Sequence, residues 1–358
     1  MLVLVMLAGC RFEFAEHHDA AIPMDAPPQG LACNTPVRLG DGMGTELAAT
    51  ASATRVFAVW LEPSGAVHGA GAQLAAQVAT AFDVGTEAGT FVHAGVAADA
   101  TGKTILGVAT DPSGASYLRS TDDATLTFGA AFQSTIALTG SHGVAPTGVD
   151  APAWAIGGND SATAREMVAG VNATGELGPM LDSGNFSART TLVPFGARIA
   201  VIDNVVGNTC DIKTVTPAIS AKSTTASWGT AGQCSEPTAV FSPGRADALL
   251  VRHDETDNDL NHVIATITMA GALAIPGESR LRSPADEARG VGVGDGYWVA
   301  YETAGTLEVV HVDFAGTVGT PIVLGMIPSP TGHDLVLFGG EPYAIWLGDG
   351  LELARICS

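Results

Sequence analysis

Seven ionisable residues recur at one place in the sequence pattern, each just ahead of a short apolar stretch: Glu46, His93, His142, Arg189, Glu236, Arg289 and His333. Gathered at one opening, side chains of both signs would hold a polar ligand through several charge-assisted hydrogen bonds. The His side chains, with an unperturbed pKa of ~6.5, would make such binding pH-sensitive. The same residue types would also serve as acid and base in a glycoside or ester hydrolase. Solvated loop ends that happen to be polar would do neither.

A second set is acidic. Glu62, Asp111, Asp160, Asp203, Asp254, Glu302 and Asp349 each end an apolar stretch, at intervals of 43 to 51 residues. Asp favours turns because its carboxylate accepts hydrogen bonds from nearby backbone N–H groups. Set around one face, these acids would favour cations or basic partners. The most acidic turn runs Asp254-Glu-Thr-Asp-Asn-Asp-Leu-Asn-His262. There the oxygens of Asp254, Asp257 and Asp259 would suit Ca²⁺, which takes six to eight oxygen ligands, although the EF-hand spacing is absent. No other cofactor is expected. No GxSxG elbow, HExxH or P-loop occurs, so enzyme readings lack a motif.

The elements that must position these residues are short strands. Arg55-Val-Phe-Ala-Val-Trp-Leu-Glu62 resembles Thr104–Asp111, Ala153–Asp160, Ala197–Asp203, Ala248–Asp254, Tyr297–Glu302 and Tyr343–Asp349. Each has an apolar strand before it, another after it, and Gly- or Pro-bearing turns between. No convincing amphipathic helix interrupts the series. Seven such units at this spacing suit four-stranded β-propeller blades, with the first strand of each lining a central channel. The expected fold is therefore all-β, a seven-bladed β-propeller; six or eight blades would stay within the class. Trp60, Trp154, Trp298 and Trp346 occupy matching places and are expected between blades. Trp228 falls outside that pattern and is the better candidate for an exposed aromatic.

The last unit, from about residue 331, has room for only three strands, and Cys33–Leu39 is a spare strand at the other end. Closing the ring with it would place Cys33 beside Cys357 in one blade. Cys210 and Cys234 then remain as a pair within the fourth unit.

Composition excludes several classes. With 16 Lys+Arg against 37 Asp+Glu the formal charge is 16 − 37 = −21, which leaves no general footprint for nucleic acid. At 46% apolar residues the chain is too hydrophobic for a disordered acidic protein. The 44 Gly and only 15% charged residues disfavour long surface helices.

The chain opens MLVLVMLAGC, and Leu7-Ala8-Gly9-Cys10 resembles the lipobox of bacterial lipoproteins. That resemblance implies a signal peptide over residues 1–9 and a lipid on Cys10. It also implies a tether over 10–32 and export to the cell envelope. Arg11, not Asp, follows the Cys, which favours the outer membrane, on its periplasmic or external side. No Lys or Arg precedes the apolar stretch, which departs from the family pattern. Ser120-Thr-Asp-Asp-Ala-Thr-Leu-Thr-Phe128 resembles a degenerate Asp-box, the structural hairpin turn of sialidase-like propellers. The reading that results is a lipid-anchored propeller at 33–358, monomeric, binding a protein or glycan ligand at an acidic face. A hydrolase and a passive envelope protein are the alternatives.

Overall fold

The computed structural model describes residues 29–358 apart from 100, 112–114, 123–125, 129–131, 161, 186, 206–208, 230–233, 268–272 and 329–331. The lipobox, Cys10 and the tether up to residue 28 lie outside the described residues, as do the middle three residues of the Asp-box-like turn.

The chain folds into seven sheets of four antiparallel strands in a propeller-like arrangement. The first holds Thr45–Ala51, Arg55–Leu61, Val67–Ala75 and Val78–Glu87. The second holds His93–Ala98, Thr104–Thr110, Ala115–Asp122 and the start of the long strand Phe132–Pro146. That strand then crosses to open the third sheet, beside Trp154–Asp160, Arg165–Val171 and Leu177–Asn185. The fourth comprises Ser187–Phe195, Arg198–Val205, Cys210–Val215 and Ala226–Trp228. The fifth comprises Ser235–Phe241, Asp247–Asp254 and Asp259–Ile267, its outer place shared by Leu273–Ala274 and Ser279–Arg282. The sixth is Asp286–Val293, Gly296–Thr303, Thr306–Asp313 and Ile322–Met326.

The seventh sheet joins the two ends of the chain. His333–Phe338, Glu341–Leu347 and Leu351–Arg355 take Val37–Gly40 as their fourth strand, with Val37 opposite Leu353. Cys33 and Cys357 form a disulfide beside this pairing, and Cys210 of the fourth sheet is bonded to Cys234, which stands just ahead of the fifth. Both pairings expected from cysteine arithmetic are therefore present. Docking begins slightly earlier than the tether boundary at residue 32 implied. Gln29–Gly30 adds a short edge strand to Val78–Glu87, and Leu31 is buried.

The repeat has a physical origin. Second strands bury side chains on both faces, so they read as unbroken apolar runs rather than alternating ones. The described apolar clusters each belong to two neighbouring sheets. Phe57, Val59 and Ile105 join the first to the second, and Ala97, Trp154 and Ile156 the second to the third. Val56, Trp60, Ile345 and Leu353 join the first to the seventh. Trp60, Trp154, Trp298 and Trp346 all lie in these inter-sheet cores, as their matching positions require. Trp228 is buried too, packed with Cys210, Cys234 and Ala239, which corrects its reading as an exposed aromatic. It stands on the outer strand of the fourth sheet, opposite Cys210, where the half-cystines and the start of the fifth sheet cover it.

Candidate functional site

First strands from all seven sheets line one cavity of about 1290 Å³. Its wall is built from small and apolar residues such as Ala48, Gly95, Gly143, Leu192, Val240 and Leu335. Gly and Ala in these positions keep the first strands slender, and open space is left between them. Main-chain links bind neighbours together. The Ala49 N–H donates to Asp334 Oδ2 at 2.8 Å, and the Ala98 N–H to Thr50 Oγ1 at 2.9 Å.

The end of the cavity where first strands begin is acidic. Glu46, Glu236 and Glu287 are the second residues of their strands, and all three line the cavity. Their backbones share an uncommon conformation, with φ of 50°, 45° and 47°. A register shift brackets each: between Thr45 and Ala48, between Ser235 and Thr238, and between Asp286 and Arg289. Each glutamate is thus the extra residue of a β-bulge, a device that re-aims a side chain. A left-handed backbone at a non-glycine residue is a strained state, and such states cluster at ligand sites.

The seven sequence-predicted residues divide. Glu46, Glu236 and Arg289 line the cavity. His93 sits beside Glu46, with Nδ1 2.8 Å from Oε1. Arg289 is not the structural counterpart of the glutamates. It lies two residues further on, opposite Ala300, and one of its N–H groups donates to the Ala288 carbonyl at 3.0 Å. Glu287 is the residue that the sequence reading missed, although it lies in the same acidic run, Asp286-Glu287. His333 is 1% exposed, buried at the sheet edge opposite Trp346, so it does not face the cavity mouth. The seventh sheet has no bulge there to turn it inward. His142 and Arg189 belong to the strands Phe132–Pro146 and Ser187–Phe195; their side chains lie outside the described residues.

The acids that end second strands stand at this same end of the sheets, but several are engaged inside them. Glu62 meets His68 at 3.2 Å. Asp160 accepts the Ala162 N–H and the Thr163 hydroxyl. Asp203 is fully buried against Lys213. Asp254 is buried and accepts from Arg252 at 3.2 Å, while Asp259 is buried and pairs with Arg280 at 2.6 Å. Asp257 lies at the exposed tip of that turn. Asp254, Asp257 and Asp259 therefore do not converge, and among the described residues no group of three metal-ligating side chains does. The alternating oxygens are divided between two ion pairs, only one of them buried on both sides, and solvent.

No family model and no curated protein matches the chain. Solved structures do. The SapL1 lectin in complex with α-methyl fucoside is 13% identical, covers 82% of this chain and 99% of its own, and superposes with a TM-score of 0.54. A protein from Lactobacillus plantarum is 14% identical, with 82% and 94% covered and a TM-score of 0.51. An Aleuria aurantia lectin variant in complex with Fucα1-6GlcNAc is 11% identical, with 88% and 92% covered and a TM-score of 0.50. At such identities the likeness concerns the fold: this chain has an all-β, propeller-like architecture resembling that of known lectins.

Proposed function

We propose that the chain closes into a seven-bladed propeller and works as a binding module for a polar glycan at the acidic end of its cavity. The observation that carries this is the matched placement of Glu46, Glu236 and Glu287, on three equivalent bulges, at one opening. Ionised carboxylates are acceptor-only groups with several lone-pair sites, suited to the hydroxyls of a sugar. The small apolar wall behind them offers shape without competing donors. His93 fixes Glu46, and Arg289 adds a donor for a ring oxygen or an acidic substituent. Strand Val37–Gly40 and the Cys33–Cys357 bond support closure of the ring.

The lectins of similar fold direct the choice of first ligands to fucosides. A glycan array probed with the wild-type protein and with the Glu46→Gln, Glu236→Gln, Glu287→Gln triple variant tests the reading. Losing charged hydrogen bonds worth about 1.5–3 kcal/mol each predicts a fall of tenfold or more in affinity. Equal binding by both proteins would move the site elsewhere.

We also propose that Cys10 carries lipid and holds the module at the outer membrane, on the strength of Leu7-Ala8-Gly9-Cys10. Cys10→Ala should release the protein from membranes. An unmodified Cys10 in the mature protein would refute the anchor.

A further inference from the structure

Between the third and fourth sheets lies a charged cluster that the cavity does not use. Glu166, Asp203 and Lys213 are 0%, 0% and 3% exposed. Lys213 Nζ is 2.5 Å from Glu166 Oε2 and 2.5 Å from Asp203 Oδ2. Asp203 and Lys213 come from paired strands. Asp203 stands opposite Asp211, and Lys213, two residues on, lies diagonal to it on the same face. Glu166 reaches them from the neighbouring sheet. It is held from both sides, accepting the Ser183 hydroxyl at 2.8 Å and the Thr190 hydroxyl at 2.9 Å.

Fully ionised, the three groups would bury a net negative charge, which is strongly unfavourable away from water. Asp203 Oδ1 is buried and finds no hydrogen-bond partner among the described residues. An ionised carboxylate would leave that oxygen unsatisfied; a protonated one does not carry the charge. Burial first, then the Glu166 charge, raises the Asp203 carboxyl to about 8, so at neutral pH it holds a proton. Burial pulls the Lys213 ammonium down, but the Glu166 charge and the hydrogen bonds to both carboxyl groups outweigh it, so at rest the lysine is charged. The cluster is then neutral: one ammonium, one carboxylate and one carboxylic acid.

We propose that this is a self-modifying site, at which Lys213 Nζ and Asp203 Cγ join in an intramolecular amide with Glu166 as the proton acceptor. Lys213 passes a proton to Glu166 Oε2 along their hydrogen bond. The freed lone pair attacks Cγ of the protonated Asp203, whose Oδ2 it already touches, so little motion is needed. The tetrahedral adduct loses its hydroxyl as water, which takes up a proton relayed by Glu166, and the nitrogen loses its own. An ammonium, a carboxylic acid and a carboxylate become an amide, one water and a protonated Glu166. Charge and atoms balance with no oxidant or activated donor. The dry setting favours the step, because it disfavours the charged reactants and expels the water formed.

The test is a tryptic map of the full chain, reduced and alkylated. Arg198 and Lys222 flank a peptide, 199–222, that contains both partners and one internal cleavage point, Lys213. The amide would block that point. The expected product is 199–222 uncut, one water lighter than its linear form, and without backbone fragments between residues 203 and 213. Cleavage after Lys213 overturns the proposal, whether the 199–213 product has its full mass or is lighter through a succinimide at Asp203. Glu166→Gln keeps the size and the hydroxyl contacts but cannot accept the proton, and should yield the cleaved, full-mass peptides. An amide that persists in that variant would remove Glu166 from its role. The wild-type map decides the bond itself even where the variant does not fold.

Discussion

Glu46 of the first sheet and His93 of the second meet across their interface, with His93 Nδ1 2.8 Å from one carboxylate oxygen and 2.9 Å from the other. The pair is half open to solvent, the imidazole 25% and the carboxylate 40% exposed. Exposed pairs of this kind contribute up to about 1 kcal/mol to stability. His93→Ala should therefore leave denaturant unfolding almost unchanged. Losing the group that orients Glu46 should still weaken glycan binding, by roughly fivefold for one hydrogen bond of about 1 kcal/mol. Titration calorimetry on the folded variant checks this; unchanged affinity would remove the pair from the site.

Arg165 grips Asp182 with two hydrogen bonds of 3.0 Å, Nε to Oδ2 and an Nη to Oδ1. The Arg165 hydrogen bonds hold the Asp182 carboxyl below its ordinary value. A lowered native pKa stabilises above the unfolded value and ceases to do so as pH falls through the native one. The stability difference between wild type and Asp182→Asn should be constant above the ordinary carboxylate range and shrink away as pH falls through the lowered native value. Because the carboxylate is 49% exposed, that difference should stay below about 1 kcal/mol. Urea melts across this range measure it, and a difference that grows in acid would contradict the assignment.

Removing the bond between Cys33 and Cys357 frees both ends of the chain, 324 residues apart in sequence. The Cys33→Ser, Cys357→Ser double variant should lose about 2–5 kcal/mol. Proteolysis should then begin at the strand Val37–Gly40. Equal stability of wild type and variant would mean that strand pairing alone secures the seventh sheet.

Gly332 sits where the seventh sheet meets the first. A Cβ built there would lie 2.1 Å from Leu47 N and 2.2 Å from Leu47 Cβ. Gly332→Ala must push the two sheets apart, with an expected loss of about 1–3 kcal/mol. Gly277→Ala is a control for space, since nothing lies within 4 Å of its added carbon and its backbone is not in the left-handed region. Thermal unfolding compares the two.

The spacing of the second strands was legible because each unit must bury both faces of the same kind of segment, and apolar runs such as Arg55–Leu61 carry that requirement openly. The two disulfides followed from the repeat. The mouth was only half legible. A bulge adds one residue to a first strand, and nothing in Asp286-Glu-Ala-Arg289 says whether the extra residue comes before or after the apolar stretch. Counting back from that stretch selected Arg289, and the backbone at Glu287 decides otherwise. His333 was misplaced for the opposite reason, since its sheet pairs without a bulge. The buried cluster was hidden by a sound local rule. Asp203 ends an apolar strand as a turn residue does, yet a lone lysine in Cys-Asp-Ile-Lys-Thr-Val, inside a sheet, was the sign that it needed partners.

The pairing of Val37–Gly40 with Leu351–Arg355 also sets an order of events. The first of these strands leaves the ribosome more than 300 residues ahead of its partner. Until then the seventh sheet cannot form, and the cluster of Trp60 with Ile345 and Leu353 stays open on the first sheet. Contacts so distant in sequence make folding slow and leave apolar surface exposed meanwhile. The feature that locks the finished molecule therefore also delays closure of the seventh sheet until the whole chain has been delivered.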